Sequence, residues 1–200
     1  MTRAMTYAVC RTTLALLLAT GCRQAGTGER DETPVRPPES YVNAYSKNLS
    51  FRQDTVFLDG RPLSGYLLTF HPEGDTAACL GFFDGVQEGL SRRWHPNGRL
   101  AERRTYHRGR KVGTHSGWWP NGNRSFEYGF HNGEHHGDMR EWYEDGKPYR
   151  ESHHRDGYEE GSQRMWWDDG RIRANYVVKN GRRYGLIGVK NCVNPKDSID

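Results

Sequence analysis

Long apolar runs are missing from this 200-residue chain, and apolar residues are scarce, at 34% with a mean hydropathy of −0.96. No stretch reaches the roughly 18 to 20 apolar residues that a spanning helix needs, which excludes a multi-pass membrane protein. Glycine does not recur every third residue, which excludes collagen. No strong excess of one charge is present: the formal net charge of +4 does not mark a nucleic-acid binder. Reactive-site motifs are lacking too. Gly113-Thr114-His115-Ser116-Gly117 has the wrong spacing for a nucleophile elbow, and no glycine loop with a lysine offers to cradle phosphate. What the chain does have is 12% aromatic residues and 24 glycines, a pairing that predicts rings packed on a tightly turning backbone.

The first residues read as an address. Arg3 and Arg11 precede a short apolar segment, Leu14 to Ala19, and then Thr20-Gly21-Cys22. A positive head, a core too short to span and small residues before the cut describe a secretory signal peptide over 1–21. Ala19, Thr20 and Gly21 before Cys22 resemble the bacterial lipobox, which implies cleavage before a diacylated Cys22. Buried acyl chains contribute about 0.8 kcal/mol per CH₂, so the bilayer becomes an anchor. The segment 22–50 is expected to be the lipidated cysteine and a polar, flexible tether. Arg23 follows Cys22 where an inner-membrane retention signal of the enterobacterial type would have Asp, so the outer membrane is favoured.

Internal repetition sets the architecture. Gly74, Gly98, Gly122, Gly146 and Gly170 are 24 residues apart; so are Gly85, Gly109, Gly133, Gly157 and Gly181, and Gly89, Gly113, Gly137, Gly161 and Gly185. Five units, 66–89, 90–113, 114–137, 138–161 and 162–185, therefore follow without a gap. The fifth position holds Phe70, Trp94, Trp118, Trp142 and Trp166; the sixth, His71, His95, Trp119, Tyr143 and Trp167; the seventeenth, Phe82, Tyr106, Phe130, His154 and Val178. Each unit has a Pro-Asn-Gly-like turn at positions seven to nine. A second turn, of the Asn132-Gly133 kind, is the strongest short hairpin signal. Strand, turn, strand, turn is the reading. The predicted fold is all-β: an elongated antiparallel meander of stacked 24-residue hairpin repeats in one open, single-layer sheet. Residues 51–65 read as a degenerate half-unit and 186–193 as a cap, together a repeat domain of 51–193 with a tail of 194–200.

A tryptophan or tyrosine near Pro-Asn-Gly, then a tyrosine or phenylalanine, an Asn-Gly and a glycine four residues on resemble the bacterial variant of the MORN repeat, which also occurs in antitoxins of the YwqK type. The resemblance covers roughly residues 51–190. It implies the β-repeat fold strongly and function weakly.

Strand alternation predicts that the fifth and sixth positions line opposite faces. Two readings of the rings stand side by side: all are structural, or the stripe of Trp119, Tyr143 and Trp167 is a docking surface. Charge is banded along the array. The second unit has eight bases, among them Arg103, Arg104, Arg108 and Arg110, against Glu102 alone, while the fourth has eight acids against four bases. Such bands either steer a partner or keep the sheet soluble. Cys79 and Cys192 stand too far apart in an open sheet to pair. His131 and His135 are split by a turn and matching positions of adjacent units lie about 10 Å apart, so no metal site is expected, and no cofactor. The reading is a non-catalytic, lipid-anchored cell-envelope module that binds a protein partner or acts as a scaffold, with no nucleic acid. A self-associating structural protein, an antitoxin-like protein and a periplasmic metal-handling protein are its rivals.

Overall fold

A computed structural model describes residues 33–188. The expected signal peptide, Cys22, Cys192 and the tail lie outside the described residues. Those residues hold seventeen strands and no helix. The first unit contains β5 (Gly65–Phe70), β6 (Thr76–Phe83) and β7 (Val86–Gln87); the second, β8 (Gly89–Trp94), β9 (Leu100–His107) and β10 (Arg110–Lys111). From the third unit on, the short arm after the second turn merges with the next long strand. The run is β11 (Gly113–Trp118), β12 (Arg124–His131), β13 (Glu134–Trp142), β14 (Pro148–Arg155), β15 (Tyr158–Trp166), β16 (Ile172–Lys179) and β17 (Arg182–Leu186). These strands pair in sequence order, antiparallel throughout, and the path ends at β17 without closing. The predicted meander is what forms.

The turn chemistry explains the glycine rhythm. Asp84, Arg108, Asn132, Asp156 and Asn180 have φ between 47° and 52°, and each is followed by a glycine at positive φ. Two successive residues at positive φ make a type I′ turn, whose twist matches that of the strands it joins. In the first turn Gly122 N donates to Trp119 O (2.8 Å) and Trp119 N to Asn123 O (2.8 Å), with Gly122 at φ 97°.

One face of the sheet is buried and the other is not. His115, Tyr128, Met139, Ser152, Gln163 and Tyr176 stand opposite one another on consecutive strands of the inner face. The seventeenth position, Phe82, Tyr106, Phe130, His154 and Val178, is buried in every unit. On the outer face the row Arg103, Ser116, Glu127, Arg140, Glu151, Arg164, Asn175 runs across the strands. Its alternating charges from Glu127 to Arg164 favour this register, since opposite charges facing each other across strands attract.

Units are stitched by the same bonds at the same positions. Gly109 N donates to Gln87 O, Gly133 N to Lys111 O and Gly157 N to His135 O, at 2.8 to 2.9 Å. At the second position, polar side chains reach backbone ten residues earlier: Ser91 Oγ accepts from Gly81 N (3.2 Å), His115 Nε2 lies 2.8 Å from Thr105 O, and Gln163 Nε2 donates to His153 O (2.8 Å). These bonds spare the atoms that make them a cost of about 1–3 kcal/mol each, whereas Gln163 Oε1 is buried without a partner.

The amino-terminal part departs from expectation. Residues 49–62 form a separate three-stranded sheet, β2 (Leu49–Arg52), β3 (Thr55–Leu58) and β4 (Arg61–Pro62). Val56 and Leu63 pack there against Leu67 and Phe82 of the first unit. Gly85 N still donates to Leu63 O (2.7 Å), the stitch seen between full units. The tether reading of 22–50 fails for its second half. β1 (Tyr41–Asn43) joins the edge of the large sheet parallel to β5. Upstream, Val35 N donates to the buried Glu88 carboxylate (2.7 Å), and Pro37 covers the bare backbone of Gly81 and Gly89.

Candidate functional site

The fifth and sixth positions do not face opposite ways. A register shift interrupts each unit just before its fifth position, between Arg93 and Trp94, Gly117 and Trp118, Glu141 and Trp142, and Met165 and Trp166. The extra residue of each bulge is on the facing strand, Ala101, Ser125, Tyr149 and Arg173, and the bulge bends the pair and re-aims the side chains around it. Trp118 and Trp119, and likewise Trp142 and Tyr143, consequently line one groove. Its volume is about 510 Å³, and Phe126, Tyr128, Tyr149, His95, Glu102 and Glu141 complete the main lining.

The sixth-position rings do a second job with their polar tips. His71 Nε2 is 3.0 Å from Trp94 O and His95 Nε2 is 2.8 Å from Trp118 O; Trp119 Nε1 donates to Trp142 O (3.1 Å) and Tyr143 OH to Trp166 O (3.0 Å). Histidine, tryptophan and tyrosine share only a flat ring with a hydrogen-bonding edge. That common property explains which residues occupy the position. Trp119 and Tyr143 are half-buried, and Trp167 is exposed, with the Arg173 guanidinium 4.6 Å from its ring centre. The tips of Trp119 and Tyr143 hold the units together while their rings line the groove.

Polar groups in the groove are already partnered. Glu102 lies 3.0 Å from Arg104 and 3.6 Å from Arg93. Burial, reinforced by the charge of Glu141 and a hydrogen bond to it, pushes the Tyr128 hydroxyl above its ordinary pKa. Cationic groups sit on the rings as well, with Arg124 5.0 Å above Trp118 and Arg104 5.9 Å from Phe126. What the groove offers a visitor is thus mostly ring surface.

The four arginines of the second unit do not gather into one patch. Arg103 projects from the outer-face row, and Arg104 is turned to Glu102 beside the groove. Arg108 occupies the second turn, and Arg110 reaches Asn132 Oδ1 of the next unit. Cys79 is a half-buried free thiol whose pKa is raised by burial.

Two groups of histidines lie apart from the sixth-position rings and from His107, which pairs with Glu88. His115, His135 and His154 belong to the inner face, where rings stack from Tyr106 through His115, Phe130 and His135 to His154 at centroid distances of 4.4 to 5.8 Å. Burial lowers the pKa of all three. The second group is exposed: His131, His136 and Asp156 come together, each offering a ligand atom within 4.8 Å of the others. Sequence spacing compared matching positions of adjacent units. It missed this trio because its members hold three different positions.

The family model described as the MORN repeat variant matches residues 87–108 and 136–156. These two segments are MORN-variant repeats. Each runs from the end of one unit through the next unit's first turn to its second, so the family's repeat is the hairpin that carries the fifth- and sixth-position rings. The MORN repeat is a non-enzymatic type of module that in general binds proteins or membranes. No curated protein sequence matches the chain. Among solved structures, a chain in the crystal structure of a GtfA/B complex bound to UDP and GlcNAc is similar at 12% identity and a TM-score of 0.26. That likeness covers 74% of this chain, which spans 27% of the other's length.

Proposed function

We propose that this protein is a lipid-anchored, extracytoplasmic, non-catalytic binding module. Its groove over the second to fourth units receives an extended peptide segment of a protein partner. The observation that carries the reading is the pairing of Trp118 with Trp119 and of Trp142 with Tyr143 on one side of the sheet, rings that are neither core nor fully exposed. Since the polar lining is internally paired, the partner is expected to contribute apolar side chains, prolines included, that lie flat on the rings. The anchor rests on the lipobox-like run before Cys22, and delivery to the outer membrane on Arg23 after it.

The groove is tested with photo-crosslinking amino acids placed in turn at Tyr149, on the groove, and at Val177, on the outer face. Adducts to a defined partner from Tyr149, lost when Ala101→Phe fills the groove, are the expected result. Equal crosslinking from both positions refutes it. For the anchor, Cys22→Ala is expected to abolish incorporation of labelled palmitate, and unchanged labelling ends that part of the reading.

A second reading has its own support. β17 is an end strand of the described sheet and exposes Tyr184 and Leu186, with Ile187 exposed just after it. The outer edge of such a strand is a template for pairing with another copy, which favours self-association. Sedimentation over a range of protein concentrations separates the two readings.

A further inference from the structure

His131 and His136 flank the Asn132–Gly133 turn of the third unit, and Asp156 belongs to the next turn along the array. Their rings and carboxylate meet at the sheet margin. The imidazoles of His131 and His136 are 5.5 Å apart between centroids, and His136 Nδ1 is 3.3 Å from Asp156 Oδ1. We propose that these three residues form a binding site for one divalent transition-metal ion.

The repeat itself supplies the comparison that gives this arrangement meaning. The three residues hold the eighteenth and twenty-third positions of one unit and the nineteenth of the next. In the fourth unit the eighteenth and twenty-third positions are Arg155 and Glu160, and they close on each other as an ion pair of 2.7 Å. In the first unit the twenty-third position is Glu88, which accepts a hydrogen bond from the backbone of Arg108, the nineteenth residue of the next (2.7 Å). The second unit has Val112 at the twenty-third position and Asn132 at the following nineteenth. Thus the fold brings these positions together wherever they are polar, and only in the third unit are all three ligand types. The nearest cation of that turn, Arg155, is engaged by Glu160 and leaves Asp156 to the histidines.

Chemistry selects the ion. Two imidazoles and a carboxylate suit zinc, copper or nickel, while calcium and magnesium prefer all-oxygen sites. Ligand atoms about 2.0 to 2.2 Å from a tetrahedral ion lie roughly 3.3 Å apart. The trio's ligand atoms already lie within 4.8 Å of one another, so the approach that binding requires is about 1.5 Å, on the scale of a side-chain rotation. Three protein ligands leave a fourth position for water or an incoming group. This site is independent of the aromatic groove and stands or falls separately.

The test is calorimetric titration of the untagged full chain with zinc and, separately, copper at pH 7.5, with His131→Ala, His136→Ala and Asp156→Asn beside it. All three residues are exposed, and asparagine tolerates the left-handed backbone of Asp156, so the variants keep the fold. One ion per chain is expected, with binding weakened about tenfold or more by either histidine variant and less by Asp156→Asn. His153→Ala, which removes an exposed histidine paired instead with Asp138, leaves binding unchanged. Absence of saturable binding, or variants that bind like the wild type, overturns the proposal. So does an equal loss on His153→Ala, which shows scattered surface histidines at work.

Discussion

Acid is expected to weaken this fold well above the pH at which its carboxylates titrate, and His115 carries most of the resolved effect. Its side chain is 1% exposed, between the rings of Tyr106 and Phe130. Burial drives its pKa from 6.5 to about 4; the hydrogen bond to Thr105 and the charge of Glu102 oppose this, while Arg104 and Lys111 add to it. A base whose folded pKa is depressed binds its proton more readily in the unfolded chain. The stability it contributes is complete above about pH 6.5 and is lost as the pH falls toward 4. Between pH 7.5 and 5 the loss is on the order of 2 kcal/mol, a large part of the roughly 5–15 kcal/mol that holds an ordinary domain folded. His135 and His154 shift in the same direction and steepen the slope. Urea denaturation at pH 7.5, 6.5, 5.5 and 5.0 measures it. The wild type should lose stability steadily through this window, and His115→Gln should start less stable but show a flatter dependence. A proton titration by NMR that places His115 near 6.5, or identical slopes for both proteins, refutes the reasoning.

Other expectations follow from single contacts. Trp119→Phe keeps a ring but removes the donor to Trp142 O, and should cost about 1 kcal/mol in thermal or chemical unfolding. Arg108→Asn puts a residue that tolerates φ near 49° into the second unit's turn; a gain of roughly 0.5 kcal/mol is expected, because the hydrogen bond from its backbone to Glu88 survives. Burial alone would raise the pKa of Glu88, but the hydrogen bonds from Arg108 N, His107 and Val35 N outweigh it and lower the value. Its stabilisation is therefore present above about pH 4.5 and disappears below, outside the histidine window. Glu88→Gln should cost about 1.5–3 kcal/mol and loosen the segment around Val35, read as faster amide exchange there.

How much of this was legible in the sequence varies with the kind of signal. The turns were, because positive φ is a property of single residues and Asn132-Gly133 announces it without reference to neighbours. The buried seventeenth position was visible as a stripe, though burial itself was not. The bulges were invisible, since an unpaired residue such as Ser125, facing the step from Gly117 to Trp118, leaves no mark on composition or spacing. Strict alternation therefore set Trp118 and Trp119 on opposite faces, and the groove could not be seen. The folding of residues 35–50 onto the first unit was equally hidden. Its anchor is Glu88, whose hydrogen-bond partners are Val35, 53 residues before it, and the neighbours His107 and Arg108, 19 and 20 residues after it.

The stitches explain why a repeat so poor in apolar residues can still fold. The second and third units each bond the next through the tip of a sixth-position ring, the amide of a second-turn glycine and the asparagine of the first turn, as when Asn97 Nδ2 donates to Pro120 O and Asn121 Nδ2 to Glu144 O. In the fourth unit Asp145 replaces that asparagine and has no donor to give. Lys147, two residues on, still reaches Asp168 O (3.0 Å), as Arg99 reaches Pro120 O and Asn123 reaches Glu144 O in the units before, and it also pairs with Asp145 (2.8 Å). The tenth position thus keeps the bond that the eighth has lost, and in the fourth unit it carries that first-turn link alone. If nearest-neighbour bonds carry the array in this way, the interface and not the unit is the element of stability. Lys147→Met, which keeps the stem and removes the donor, should then open amide exchange first on both sides of the boundary between the fourth and fifth units. Uniform loosening along the whole sheet would show instead that the inner-face core, shared by all units, governs its cooperativity.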